Sequence, residues 1–103
     1  MKSDSSSYTW TFLSNYAHVL LYLAQFPEAR MREAADAIGI TERAVQRIVS
    51  ELESAGYVTR TREGRRNTYE VNGTLPLRHP VEGHQNLDAL IRLILTTRPR
   101  AKR

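Results

Sequence analysis

Along the chain the apolar positions change period, and each change marks an element. Over residues 11–26, Phe12, Leu13, Tyr16, Ala17, Val19, Leu20, Leu23 and Ala24 recur at steps of three and four, the spacing of a core-facing helix. Leu21 and Tyr22 widen that stripe, so this helix is expected to touch more than its own domain, a second subunit included. Ser14 or Thr11 is placed to cap its start. Pro27 ends it, because proline disfavours a helical residue before it and donates no amide hydrogen.

A second helix is predicted over 32–38, carrying Ala34, Ala35 and Ile38. Two adjacent small residues permit the close approach of another helix. Gly39 accepts the positive φ that a helix end and tight turn need, and Ile40 holds the turn against the core. Thr41 is a good N-cap for a third helix over 42–55, whose first turn carries Glu42 against the helix dipole. Val45, Ile48, Val49 and Leu52 form its apolar stripe, with Arg43, Gln46, Arg47 and Ser50 on the other side. Gly56 is the expected left-handed cap.

The period then shortens. Residues 57–62 are mostly strand formers, Glu63 and Gly64 make a turn, and 67–71 returns with alternating character. A connector over 73–85 holds two prolines and two glycines and is expected to be irregular. A last helix is predicted over 86–97, capped by Asn86, with Leu87, Leu90, Ile91 and Ile94 on one face and Leu93 and Leu95 broadening it. Residues 1–10 are expected to be a flexible N-terminus, and 98–103 a basic, disordered tail. The fold class is mainly α with a small β-hairpin.

Composition narrows the function. The chain has 103 residues, 41% of them hydrophobic, which makes one small domain with a modest core that a partner's surface would help to bury. A net charge of +4 and a pI near 9.9 favour polyanionic partners. The absence of cysteine excludes disulfides, thiol catalysis and cysteine-ligated zinc. No apolar run is long enough to span a bilayer, and the opening MKSDSSS lacks the apolar stretch of a signal peptide. The expectation is a soluble, cytoplasmic protein without membrane association. No glycine-rich phosphate loop, nucleophile motif or housed acid pair is present, so no enzyme and no cofactor are expected. His84 and Asp88 are four apart, but His79 and His84 are five apart with no cysteine in support. No metal site is expected on these spacings. His18 reads as an ordinary exposed or hydrogen-bonded histidine.

The order of elements resembles the winged helix-turn-helix of MarR- and ArsR-like transcriptional regulators. Ala35 lies four residues before Gly39, where that pattern places a small residue. Val45 lies six after it, where the pattern wants a branched apolar one. The phrase LESAGYVTR, residues 52–60, resembles the recognition-helix exit and first wing strand of MarR-like proteins, and GRRNTYEV, residues 64–71, resembles the wing and its return. The resemblance implies a DNA-binding domain over 11–72, a brief additional strand over 29–31, and a dimerisation helix after the wing.

The chemistry agrees with that implication. A helix fits the major groove of B-form DNA, where arginine pairs with guanine and glutamine with adenine. Arg43, Gln46 and Arg47 are the base-reading candidates, with Thr41 and Ser50 on phosphates. Glu42 either faces cytosine or caps the helix, and capping is favoured. In the wing over 60–67, Arg60, Arg62, Arg65 and Arg66 stand against Glu63 alone, which suits phosphate neutralisation along the backbone or in the minor groove. Asn67 adds a hydrogen-bonding group. A homodimer held by Leu87, Leu90, Ile91 and Ile94 would read a pseudo-palindromic site, whereas a last helix packed on its own domain would not. Three alternatives remain: a winged-helix module that docks protein or RNA, a metal-responsive sensor, and a sensor whose small-molecule effector sits beside Tyr8, Trp10 and Tyr16.

Overall fold

Ser14 decides where the first helix begins. It is extended, at φ −76° and ψ 170°, and its hydroxyl accepts from the Ala17 amide at 3.4 Å. The helix α1 therefore spans Asn15–Gln25. Thr11, the other capping candidate, donates to the Leu13 carbonyl at 2.6 Å instead. The expected start at residue 11 is thus too early, and Phe12 and Leu13 leave the helical stripe. Phe12 is 92% exposed, its ring edge-on to Trp10 with centroids 4.9 Å apart.

The computed structural model describes residues 9–96. Among them α1 is followed by α2 (Met31–Ile38), α3 (Glu42–Ser54), β1 (Val58–Glu63), β2 (Arg66–Val71) and α4 (Leu87–Leu95). Residue 97, Tyr8 and the basic tail lie outside the described residues. The chain divides into two compact units between Val71 and Asn72. No helix among the described residues is long and apolar enough to cross a membrane.

In the first unit, α1 packs on α2, α3 and β2. The core takes Val19, Leu20 and Leu23 from α1, Ala34 and Ala35 from α2, and Val45, Ile48, Val49 and Leu52 from α3, closed by Val58 and Tyr69 of the hairpin. Leu23 and Val45 are fully buried, and each such side chain contributes about 2 kcal/mol of transfer free energy. The turn between α2 and α3 forms at the predicted residues. Gly39 sits at φ 91°, and Ala35 accepts from the amides of both Gly39 and Ile40. Thr41 caps α3 by accepting from the Ala44 amide at 3.0 Å. At the far end Gly56 is left-handed at φ 88°, and its amide and that of Tyr57 reach back to Glu53 and Leu52. That pair of bonds is a Schellman closure.

The brief strand expected over 29–31 does not form; the sheet contains only β1 and β2. Arg30 is the N-cap of α2, its amide donating to the Glu33 carboxylate at 3.0 Å, so Met31 is already helical. What remains of the pairing is one bond, from the Tyr69 amide to the Pro27 carbonyl at 2.8 Å. The hairpin turn is displaced by one residue from the expected position. Glu63 pairs with Arg66 across Gly64 and Arg65. Gly64 alone takes positive φ, at 65°, which places it first in a two-residue turn of the II′ kind.

In the second unit an antiparallel bridge joins Pro76 to Asn86, with Leu77 donating to Gln85 and Leu87 to Leu75. Asn86 caps α4 by accepting from the Ala89 amide at 3.0 Å. Along α4, Leu87 is buried, Leu90 and Ile91 are half-buried, and Leu93 and Ile94 are exposed.

The two kinds of support in the first unit predict different losses. Leu23→Ala should lower the unfolding free energy by about 3 kcal/mol. Gly39→Ala, which forces a side chain into the left-handed region, should lower it by about 1 kcal/mol. Urea denaturation of the two variants checks both values.

Candidate nucleic-acid interface

The buried stripe of α3 fixes which of its side chains face outward. With Val45, Ile48, Val49 and Leu52 in the core, helical geometry turns Arg43, Gln46, Arg47 and Ser50 to solvent, and all four are exposed. Thr41 and Glu42 are exposed at the entry to the same helix. The Thr41 oxygen is engaged by the cap, but its hydroxyl hydrogen remains available to an acceptor. Glu42 does not cap the helix end through its carboxylate, which instead accepts from the Gln46 amide group at 3.5 Å.

The six α3 residues therefore differ in freedom. Arg43 has no ion pair among the described residues. Arg47 has two partners: the Tyr16 hydroxyl at 3.3 Å and the Glu51 carboxylate at 3.9 Å. Tyr16 in turn donates to Glu51. Glu51 is one helical turn from Arg47 and legible as a pair from the sequence; Tyr16 is not, because it comes from α1.

The wing arginines divide similarly. An isolated two-stranded hairpin is barely stable in water, and here only Val58 and Tyr69 are buried. Two arginines supply further anchorage. Arg60 makes a forked contact to Glu53 at the end of α3, 2.7 and 3.3 Å from its oxygens, and lies 5.9 Å above the centre of the Tyr69 ring. The hydrogen bond to Glu53 raises the Arg60 pKa above its ordinary value, partly opposed by burial, so the group stays cationic. Arg66 reaches Glu28, before α2, at 2.8 Å. Arg62 donates to the Gly64 carbonyl at 3.1 Å and so braces the turn, without an acidic partner among the described residues. Arg65, at the tip, is exposed and has no ion pair among the described residues. Asn67 is half-buried.

Between the entries of α2 and α3 and the wing lies a groove of about 1190 Å³. Arg30 and Arg32, absent from the sequence-derived set, line it with Arg65 and Arg66, but four glutamates line it too. The charges lining the groove are balanced, four arginines against four glutamates; among the described residues Arg43, Arg62 and Arg65, like Arg30 and Arg32, are exposed and make no salt bridge. Among the described residues no three histidine, aspartate or glutamate side chains cluster as metal ligands. His18 contacts the Asn15 side chain at 3.0 Å, and His79 accepts from the Val81 amide.

A model of the MarR family matches residues 11–66, more than half of the chain, from just before α1 to the first residue of β2. No curated protein matches the chain.

The Arg60 contact makes a prediction that a simple phosphate contact would not. Arg60→Ala should lower stability by about 1 kcal/mol, the upper range for an exposed ion pair. That loss should shrink in about 1 M salt, where exposed charges are screened. Arg65→Ala should leave stability unchanged. Urea midpoints at low and high salt separate the two.

Proposed function

The chain belongs to the MarR family of winged-helix transcription regulators, and from that premise we propose that it binds double-stranded DNA sequence-specifically as a homodimer. In this reading α3 enters the major groove, with Arg43, Gln46 and Arg47 at base edges and Thr41 and Ser50 on phosphates. The wing lies along the adjacent backbone or minor groove, with Arg62 and Arg65 as its main phosphate contacts. Arg60 and Arg66 set its position through Glu53 and Glu28, and Asn67 lies beside them. The site of action is the cytoplasm.

The observation that carries the reading is the exposed row on α3 beside a wing whose Arg62 and Arg65, without an ion pair among the described residues, face solvent. The protein-docking alternative would gain if that row were buried, and its members are exposed. Dimerisation through α4 is supported by its apolar surface at Leu93, 61% exposed, and Ile94, 38% exposed, with Leu90 and Ile91 half-buried beside them, whereas Leu87, also expected in that contact, is buried within its own unit. Two copies would place two recognition helices on half-sites about one turn of DNA apart.

Selection of bound sequences from a random DNA pool tests this directly. A pseudo-palindromic motif is expected; an unenriched pool would sink the claim of specificity. Arg43→Ala should cost about 1–3 kcal/mol and relax preference at one position per half-site. Arg65→Ala should weaken binding to all sequences and lower the salt slope by about one. The double variant Leu93→Lys, Ile94→Lys, which alters only exposed positions, should shift the protein to monomer in sedimentation and weaken binding to the two-fold site.

A further inference from the structure

Tyr16 stands in the first turn of α1, 31 residues from Arg47. Its hydroxyl oxygen nonetheless accepts from the Arg47 guanidinium at 3.3 Å and donates its hydrogen to the Glu51 carboxylate. Arg47 and Glu51 also face each other, 3.9 Å apart along α3. The three polar tips close a ring of contacts, and one member belongs to a different helix. The side chains of Arg47 and Glu51 are 59% and 51% exposed, so burial does not hold them.

An exposed arginine on a helix ordinarily samples many rotamers, and the groove of DNA must then order it. Arg47 differs from Arg43 because a fixed partner on α1 orients it before any ligand arrives. Glu51 by itself would repel a nearby phosphate. With the Tyr16 hydroxyl and the Arg47 guanidinium on it, that carboxylate becomes the anchor that draws Arg47 to the α1 edge of the reading face. A phenylalanine at position 16 would keep the ring and its packing and lose only the oxygen.

We propose that Tyr16, acting with Glu51, is a positioning residue that presets the Arg47 guanidinium for base reading at the α1 edge of the recognition helix. This rests on the DNA-binding reading of α3 and adds a specificity determinant outside that helix.

The test compares wild type, Tyr16→Phe, Arg47→Ala and the double variant, measuring competition by every single base substitution across the selected site. Tyr16→Phe should reduce discrimination about three- to ten-fold, only at the positions that Arg47→Ala also relaxes. In the Arg47→Ala background it should change nothing further. Equal weakening at all positions, or losses that simply add, would overturn the proposal. The free protein supplies a second readout that needs no DNA. The Arg47 Nη1 proton resonances, from the nitrogen that meets Tyr16 and Glu51, should be protected and dispersed in wild type and collapse toward those of Arg43 in Tyr16→Phe. If Arg47 already behaves like Arg43 in wild type, the positioning role is wrong even where DNA binding is right. If wild type shows the ring of contacts but no sequence preference, the functional reading has failed instead.

Discussion

A helix can present a reading face only if its opposite face is immobilised, and in this chain that depends on the burial of Val45, Ile48, Val49 and Leu52. The rest of the first unit serves that burial. Ala34 and Ala35 are small enough for α2 to lie close. Leu23 and Val19 supply the floor, and Val58 and Tyr69 close the side. Gly39 and Thr41 then set the angle and the starting point of α3, since one permits the left-handed turn and the other ends the run of unsatisfied amides. The orientation of the exposed row follows from these contacts, and no residue in the row has to contribute to them.

Electrostatics adds a second layer at the two edges of α3. On one side Glu51 engages Arg47 and Tyr16; on the other Glu53 engages Arg60. Acids on a helix expected to meet a polyanion look unfavourable when counted as charge. Their positions give them another sense, because each holds an arginine that ties α3 to a neighbouring element. The wing shows the same division at its far strand, where Arg66 is bound to Glu28 and Arg65 is not. A tally of basic residues therefore overstates the charge available to a ligand.

What was legible in the sequence was what depends on neighbours a few residues apart. Apolar spacing marks α3 and its buried stripe; Gly39, Thr41 and Gly56 mark its ends. The family resemblance rests on those same residues, and the family match, over residues 11–66, takes in the leading helix, the helix-turn-helix and the first wing strand. Local spacing misled at residue 12, because an apolar side chain in register does not guarantee a helix when Ser14 offers a cap and Thr11 a competing bond. It misled again at 29–31, where a strand expected by resemblance lost to the capping of α2 by Glu33. Contacts between Tyr16 and Arg47, or Arg66 and Glu28, join residues 31 and 38 apart and follow no periodicity. Only the fold brings them together, which is why the six α3 candidates read as equals in sequence and differ in space.

That difference bears on how the exposed face of α3 can change. Arg43 and Ser50 are exposed and make no side-chain hydrogen bond or ion pair among the described residues, so substitutions there can be accepted without a compensating change elsewhere. Arg47 is bound into a contact with another helix, and replacing it strands a tyrosine and a glutamate. On the proposed reading, drift in the bound sequence should accordingly run through position 43 first, with position 47 altered only when 16 and 51 alter alongside it. The scaffold thus separates an easily varied part of the exposed α3 face from a part whose evolution is coupled.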